Sequence, residues 1–371
     1  MVFEDVISLT IPEGTVKSIH NSSNVLLWHR PKIYGVKWTG GTSATMTRTD
    51  DAAKFSTPVI GTGTTNGSSP FDSCYPWSKI RTVTDNGSVL VEIPKFWYKW
   101  TKSSATMTLQ IADREMPGFY VSPMHANRGD GVGERDVAYI GKYKCTSNYK
   151  SRAGYAPKAS ISVNTARTGI TALGTGYFQQ DYASFWTIRM LFLVEWATWN
   201  SQSVLQNTAN FASAADIVTG GTANMAYHTG VSANGYSVQY RYIEDPWENM
   251  LEWLDGLYFS GANMYCIKNP NNFKIGSGGK LVGTRTTSSG YIKSWTIPTA
   301  SGFEWALIPS AVATSESYTY DSYYYNATGT VAYIGGTRSS WGVHGAFYMY
   351  TDFTATSTST AITTRLMKLP S

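Results

Sequence analysis

Alternating apolar and polar positions dominate the first third of the chain and predict β-strands. In residues 1–31, apolar positions flank the turn-forming stretch Asn21–Asn24, which predicts a short hairpin. Further segments of strand composition follow, with Pro94 marking a bend or a sheet edge. These segments are VLVEIPKFWYKW, TMTLQIA, GFYVSP and VAYIGKYKC.

The pattern changes to helical spacing after residue 150. SVNTARTGITALG predicts a short helix, and DYASFWTIRMLFLVEWATWNSQ predicts a buried one because it is apolar on nearly every side. A third helix is predicted from EDPWENMLEWLDG, with Asp245 as N-cap, Pro246 at the first position, Glu248 closing a capping box and Gly256 as the stop. From about Leu257 onwards, short strands and turns are predicted again.

The order of these elements predicts an α+β protein in three parts. Residues 1–31 are predicted to form an N-terminal hairpin, residues 32–135 a β-rich region, and residues 136–371 a domain that contains the predicted helices.

Composition makes nucleic acid and membranes poor partners. Charged residues are only 15% of the chain, the net charge is +5, and no run of Lys or Arg occurs. The longest apolar run carries Arg189 and Glu195 and is too short for a bilayer span, so no membrane insertion is expected. The 25 tyrosines, with abundant Ser, Thr and Gly, are typical of recognition surfaces.

No motif for catalysis stands out, so no enzyme activity, cofactor or metal is predicted. The five histidines form no HExxH pair, and no GxSxG turn occurs. The carboxylates near residues 244–255 could serve a glycosidase, but complementing a helix dipole is the simpler interpretation. Asp130, Glu134 and Asp136 could bind calcium, but a solvated loop explains them better. Three separated cysteines, Cys74, Cys145 and Cys266, fit buried thiols.

Several motifs resemble the formylglycine-generating-enzyme branch of the C-type lectin fold. VAYIGKYKC, FLVEWATWNSQ, WENMLEWLDGL and GGTRSSWG…GAFYMY…TTRLMK occur in that order, and Asn249–Trp253, Gly335-Gly336 and Arg365-Leu366 are the matching positions. The resemblance implies a C-type-lectin-like domain over residues 136–371. Its enzymes carry a C-terminal cysteine pair, but only Cys266 follows Cys145 here, so their activity is not implied.

The chain is more similar to another branch, the phage tail-tip receptor-binding proteins diversified by retroelements. IPKFWYKW…GFYVSP…YIGKY is similar to the stretch before such domains in phage tail-fibre and prophage proteins. This resemblance implies a non-catalytic homotrimer in the virion tail, made in the host cytoplasm, with the hairpin of residues 1–31 as its attachment or trimerisation end. It also implies contacts with other tail proteins and with a host-cell surface protein or glycan. The alternatives are a fixed adhesin, a structural tail protein or, less favoured, an enzyme of the formylglycine-generating type.

The resemblance also implies a variable ligand-binding segment at residues 337–364, between fixed Gly335, Gly336 and Arg365. Retroelement diversification converts Asn codons into codons for Tyr, Asp, Phe, Ser, Ala, Val or His, and this segment has no Asn but many of those residues. A Thr/Ser-rich segment is also simply good strand material, and Phe347 and Tyr348 could belong to the core. The predicted contact residues are Arg338, Ser339, Trp341, Val343, His344, Tyr350, Asp352, Phe353, Ser357, Ser359 and Ala361, with Tyr323 and Tyr325 as outliers.

Alternation limits the tyrosine outliers. In a strand, Tyr324 would point to one face and its neighbours Tyr323 and Tyr325 to the other, so not all three can contact a ligand.

Overall fold

The computed structural model describes residues 18–20, 26–205, 218–231, 237–247, 249–337 and 344–371. It is 34% strand and 12% helix, and its described residues contain two α-helices. The α+β prediction is therefore wrong, because the protein is β-rich. The two helices are α1 (Val163–Thr171) and α2 (Tyr182–Trp196).

The strands are short and are spread over the whole described chain. In the first part they are β1 (Ser18–His20), β2 (Leu26–His29), β3 (Ile33–Trp38), β4 (Thr47–Asp50), β5 (Arg81–Asp85), β6 (Ser88–Pro94), β7 (Trp97–Ser103), β8 (Thr106–Ala112), β9 (Tyr120–Val121), β10 (Val137–Gly141) and β11 (Tyr177–Gln179). After α2 they are β12 (Gly230–Val231), β13 (Val238–Tyr240), β14 (Ile243–Glu244), β15 (Leu251–Leu254), β16 (Leu257–Ser260), β17 (Asn263–Cys266), β18 (Lys280–Thr284), β19 (Gly290–Thr296), β20 (Ile308–Ala313), β21 (Ser322–Tyr325), β22 (Ala332–Ile334), β23 (Met349–Thr351), β24 (Ile362–Thr363) and β25 (Leu366–Lys368).

Three larger sheets organise these strands. The N-terminal sheet has the order β4-β3-β8-β7-β9, and a second five-stranded sheet has the order β11-β25-β10-β6-β5. The seven-stranded sheet has the order β20-β19-β21-β23-β22-β15-β24, with parallel pairing of β21 with β23 and of β15 with β24. Smaller sheets comprise β1-β2, β12-β13-β14 and β16-β17-β18. The second sheet joins strands from both sides of residue 135, where a domain boundary was predicted.

Helix α2 lies in the middle of the main core, as its all-round apolar sequence predicts. Every residue from Tyr182 to Trp196 is buried. The Trp186 ring packs edge-on against Trp100 of the N-terminal sheet and Trp295 of the seven-stranded sheet, with centroids 6.4 and 5.3 Å away. Asp181 is the N-cap of the helix, and its carboxylate accepts a hydrogen bond from the backbone N–H of Ser184 at 2.8 Å. No helix in the described part of the chain is long and apolar enough to cross a membrane.

The third predicted helix does not form, which is the main reason why the α+β prediction fails. Its sequence turns at Asp245 and Asn249, both with positive φ, and continues as strand β15. The Asp245 carboxylate accepts from the backbone N–H of Val238 at 3.0 Å and from Asn249 Nδ2 at 2.6 Å. The expected N-cap therefore stabilises a turn between strands, and Glu248 lies outside the described residues.

The predicted loop carboxylates and cysteines have clear structural positions. Asp130 pairs with Arg135, and both Glu134 and Asp136 lie near Lys95, so the loop contains ion pairs. All three cysteines are free and buried, which confirms that prediction.

Candidate functional site

Three motifs that suggested the family resemblance meet in one buried ion cluster. Glu252 lies on β15, Lys144 follows β10, and Arg365 directly precedes β25. Arg365 Nε and Nη2 donate to the two Glu252 carboxylate oxygens at 3.0 and 2.8 Å, and Lys144 Nζ donates to the same carboxylate. Burial alone would raise the pKa of Glu252, but the Arg365 and Lys144 cations lower it to about 2.

Arg365 also satisfies a set of backbone carbonyls at the end of the predicted variable segment. Its two terminal nitrogens donate at 2.8–3.0 Å to the carbonyl oxygens of Gly141, Lys142, Glu244 and Asp245. The five fixed N–H donors of the guanidinium thus connect three parts of the fold, namely the end of β10, the residues around β14, and strand β15. Lysine could not make these contacts together, so Arg365 anchors one end of the segment.

At the other end of the segment, Gly335 and Gly336 are required to be glycine for two different physical reasons. Gly335 has φ of +83°, a backbone conformation that side-chain-bearing residues rarely adopt. A Cβ on Gly336 would lie 2.3 Å from the Cβ of His344, well inside van der Waals contact. Both ends of the predicted variable segment are therefore positions where substitution would strain the backbone or break ion pairs.

An aromatic row crosses four neighbouring strands of the seven-stranded sheet, one of which, β23, belongs to the predicted variable segment. The register pairs Trp253 on β15 with Tyr333 on β22, Tyr333 with Tyr350 on β23, and Tyr350 with Tyr324 on β21. Successive ring centroids lie 5.9, 5.8 and 5.0 Å apart. We call these four residues the aromatic row.

Exposure rises along the aromatic row from one side to the other. Trp253 is completely buried, Tyr333 is 5% exposed, Tyr350 is half-buried and Tyr324 is 39% exposed. The Trp253 indole Nε1 donates to the Ile161 carbonyl at 2.8 Å, which holds the buried end in place. The row is therefore rooted in a hydrophobic cluster under α1 and reaches solvent at Tyr324.

Residues 352–361 pack beside the aromatic row. Tyr333 donates its hydroxyl to Asp352 Oδ1 at 2.7 Å, and the half-buried Phe353 ring lies 5.3 Å from Tyr333 and 6.0 Å from Trp253. Ser357 Oγ accepts from the backbone N–H of Thr354 at 3.0 Å. These contacts hold the backbone while leaving Asp352, Phe353 and Ser357 partly accessible.

Backbone hydrogen bonds hold the last residues of the segment in place. The Ser359 carbonyl accepts from the Ser160 N–H at 3.0 Å, and the Ala361 carbonyl from the Leu251 N–H at 3.2 Å. Ser359 and Ala361 are half-buried. The segment is thus attached through main-chain groups, which are available whatever side chains it carries.

Two predicted contact residues point into the protein. Tyr323 is 1% exposed on the core face of β21, and His344 is 7% exposed beneath Gly336. Strand alternation puts Tyr324 on the outer face, so Tyr324 is the tyrosine of that triplet that contacts solvent most. Phe347 and Tyr348 are buried core residues, in line with the alternative interpretation of the sequence. Tyr325 is half-buried and packs under the Arg285 guanidinium, 4.7 Å from its ring centroid.

Four predicted contacts, Arg338, Ser339, Trp341 and Val343, lie outside the described residues. Three members of the aromatic row, Trp253, Tyr333 and Tyr324, were not among the predicted contacts. Tyr333 stands alone in VAYIGG, and only the pairing of β22 with β23 brings it beside Tyr350. Alternation within Tyr323–Tyr325 separates Tyr324 from its neighbours but does not indicate which face is exposed, and the prediction chose the other two tyrosines.

Burial keeps most titratable groups around the aromatic row neutral. It lowers the pKa of His344 to about 4 and raises the pKa of the Tyr348 and Tyr333 hydroxyls. The His344 ring packs on Tyr348, which in turn stacks on Tyr350, with centroids 4.1 and 4.5 Å apart. The surface is therefore aromatic and hydroxyl-rich, with Asp352 as its acidic group.

The surroundings of two cysteine thiols and of the possible metal ligands bear on whether the protein can perform chemistry. Burial raises the pKa of the Cys145 and Cys266 thiols, which disfavours a reactive thiolate. Within the described ranges, no group of His, Cys, Asp and Glu side chains is arranged to hold a metal ion.

No protein-family model matches the chain. A search of curated proteins likewise finds no significant match. The resemblance to the C-type-lectin-fold proteins therefore stays a prediction from the motifs.

Proposed function

We propose that this chain is a non-catalytic receptor-binding protein of a phage or prophage tail. It binds a host-cell surface protein or glycan through Tyr324, Tyr350, Asp352 and Phe353. The observation that carries the proposal is the aromatic row, which is buried at Trp253 and accessible at Tyr324. A rigidly held tyrosine offers a large contact area at low entropic cost.

The energetics of such a surface are adequate for recognition. Burying one aromatic side chain against a ligand contributes about 1.5–3 kcal/mol, so two or three rings can dominate an interface. In the homotrimer that we propose, several copies on one virion would add avidity to a modest single-site affinity.

The proposal includes diversification of residues 337–364. Gly335, Gly336 and Arg365 fix the ends of the segment, and residues 344–349 are buried in the core, so the variation that we propose falls on Tyr350 and residues 352–361, which are partly accessible and attached through backbone hydrogen bonds. A frame of this kind supports side-chain variation without loss of the fold. Diversification for ligand contact also explains why the segment is rich in aromatic residues and almost uncharged.

A cell-binding assay with matched tyrosine variants tests the binding surface. We expect Tyr324→Ala combined with Tyr350→Ala to abolish binding to host bacteria while circular dichroism shows an intact fold. The control is Tyr120→Ala combined with Tyr155→Ala, since both residues are exposed outside the site. Equal binding by the two double variants would refute the proposed surface.

Sequencing the codons of residues 335–371 across many copies of the source population tests diversification separately. Substitutions should concentrate at positions such as Tyr350, Phe353 and Ser357 while Gly335, Gly336 and Arg365 stay constant. A segment as invariant as helix α2 would rule out diversification and leave a fixed adhesin or a structural tail protein.

A further inference from the structure

Arg285, which directly follows β18, is a buried arginine without a paired negative charge. It is 3% exposed, and no carboxylate among the described residues forms a hydrogen bond or an ion pair with it. Arg365 differs in this respect, because Glu252 compensates its charge. Burying an unpaired cation costs free energy unless other contacts offset the cost, so the contacts of Arg285 are important for the fold around it.

The guanidinium of Arg285 connects three separate stretches of the chain through neutral oxygen acceptors. Its Nε and Nη2 donate to the Gly261 carbonyl at 3.1 and 2.9 Å, and Nη2 also donates to the Asn326 carbonyl at 3.3 Å. Its Nη1 donates to the hydroxyl oxygen of Thr351. Since Gly261 follows β16, Asn326 follows β21 and Thr351 ends β23, one side chain holds these three elements together.

Two aromatic rings pack on the guanidinium and help to fix its position. The Phe259 and Tyr325 ring centroids lie 4.0 and 4.7 Å from Arg285 Cζ. A planar guanidinium can stack on aromatic rings while it donates several hydrogen bonds in its own plane. A lysine ammonium has neither the plane nor the five donors, so lysine could not replace Arg285 at this position.

The Thr351 hydroxyl extends this contact to the backbone of the aromatic row. Thr351 is completely buried, and its hydroxyl accepts from Arg285 and donates to the Tyr324 carbonyl at 2.8 Å. The parallel pairing of β21 with β23 places Tyr324 beside Tyr350 at the same point. The hydroxyl therefore holds the backbone that carries both accessible tyrosines. We call the contacts among Arg285, Thr351 and the Tyr324 carbonyl the Arg285–Thr351 bridge.

We propose that Arg285 and Thr351 are positioning residues of the receptor-binding surface, and that Thr351 is a constant position within residues 337–364. This inference rests on the proposed receptor-binding function. The Arg285–Thr351 bridge holds Tyr324 and Tyr350 in one arrangement before a ligand binds, which lowers the entropic cost of binding. Alternation turns residue 351 towards the core and Tyr350 outwards, so residue 350 can vary while residue 351 has to supply a hydroxyl.

Amide hydrogen exchange of the full chain tests the bridge without any ligand. Thr351→Val keeps the shape of the side chain but removes the hydroxyl, whereas Thr351→Ser keeps the hydroxyl. Because two hydrogen bonds are lost, the amides of residues 322–326 should exchange at least about fivefold faster in Thr351→Val, and close to the wild-type rate in Thr351→Ser. The amides of β7 should be unaffected in both. A wild-type rate for residues 322–326 in Thr351→Val would overturn the proposal.

Thr187→Val is the matched control for this experiment. Thr187 lies on α2 and is also completely buried, and its hydroxyl accepts from the Met124 N–H at 3.2 Å and donates to the Ala183 carbonyl at 2.8 Å. The substitution removes the same two kinds of hydrogen bond outside the seven-stranded sheet. It should leave the exchange of residues 322–326 unchanged. Equal acceleration there by Thr187→Val and Thr351→Val would reveal a general loss of stability and overturn the positioning role.

Binding to host bacteria tests the link between the bridge and recognition. Thr351→Val and Arg285→Lys should each bind about tenfold more weakly, although every proposed contact residue is retained, because the tyrosines are no longer held in place. Thr351→Ser and Thr187→Val should bind like the wild type. Wild-type binding by Thr351→Val with faster exchange at residues 322–326 would overturn the positioning role. If the wild type itself does not bind, the proposed receptor function fails, and the exchange experiment still decides whether the bridge holds the tyrosines.

Discussion

The two faces of the seven-stranded sheet differ, although the same strands form both. One face carries Glu252, Ile334, Met349 and Tyr323 in register, and all four are at most 2% exposed. The other carries the neighbouring residues Trp253, Tyr333, Tyr350 and Tyr324, whose exposure rises to 39%. Because side chains alternate along a strand, each pair of neighbours places one residue in the core and one in the aromatic row.

This difference separates stability from recognition within a few residues. The core face is held by an ion cluster and by the main hydrophobic core, so a change there affects the whole fold. The exposed end of the aromatic row contributes contact area and little packing. A surface of this kind can vary while the face behind it stays constant.

The largest effect is expected from breaking the ion cluster on the core face. Glu252→Gln removes the carboxylate that pairs directly with the buried Arg365 and Lys144, so the free energy of unfolding should fall by about 3–5 kcal/mol. Urea denaturation measures this. Glu92→Gln, which removes the partner of the exposed Arg81, is the matched control and should change stability little. A loss for Glu252→Gln as small as that of the control would contradict the role given to the cluster.

Two adjacent tyrosines provide the most direct comparison of the faces. Tyr323→Ala should lower the free energy of unfolding by about 3 kcal/mol because it leaves a cavity in the core, whereas Tyr324→Ala should change it by less than about 0.5 kcal/mol. Thermal and urea unfolding of both variants check this. In the host-cell binding assay we expect the opposite ranking, because Tyr324→Ala keeps its fold but loses affinity for the cells. Equal stability losses would mean that the faces do not differ as described.

Acid titration should report the ion cluster through its pH dependence. Glu252 has a lowered pKa of about 2 in the folded protein against an ordinary value of 4.5, so its stabilisation is complete above pH 4.5 and is lost as pH falls towards 2. The difference in unfolding free energy between the wild type and Glu252→Gln should therefore shrink over that range. A difference that is constant from pH 6 to pH 2 would show that folding does not lower the pKa of Glu252.

The smallest effect is expected within the aromatic row. Tyr333→Phe removes the hydrogen bond to Asp352 and should cost about 1 kcal/mol of stability. Urea denaturation measures the cost, and Tyr350→Phe is the control because no carboxylate among the described residues forms a hydrogen bond with the half-buried Tyr350. A cost for Tyr333→Phe no larger than that of the control would indicate that the Asp352 contact does not hold the segment.

Local sequence patterns determined several features of this protein. The apolar run of α2 and the spacing of α1 were sufficient to predict both helices, since each pattern lies within one continuous stretch of the chain. The buried cysteines and the alternation within Tyr323–Tyr325 also follow from composition and period. The tyrosine-rich composition indicated a recognition surface but not its location.

Only the tertiary structure decided the rest. EDPWENMLEWLDG has good helical signals, yet it forms β15 because Glu252 gains buried partners in Arg365 and Lys144, 113 and 108 residues away in sequence. The aromatic row likewise depends on pairing among β15, β21, β22 and β23, which brings together rings from four separate stretches. Local propensity amounts to a few tenths of a kcal/mol per residue, whereas burying an unpaired charge costs several, so long-range pairing overrides the local signal.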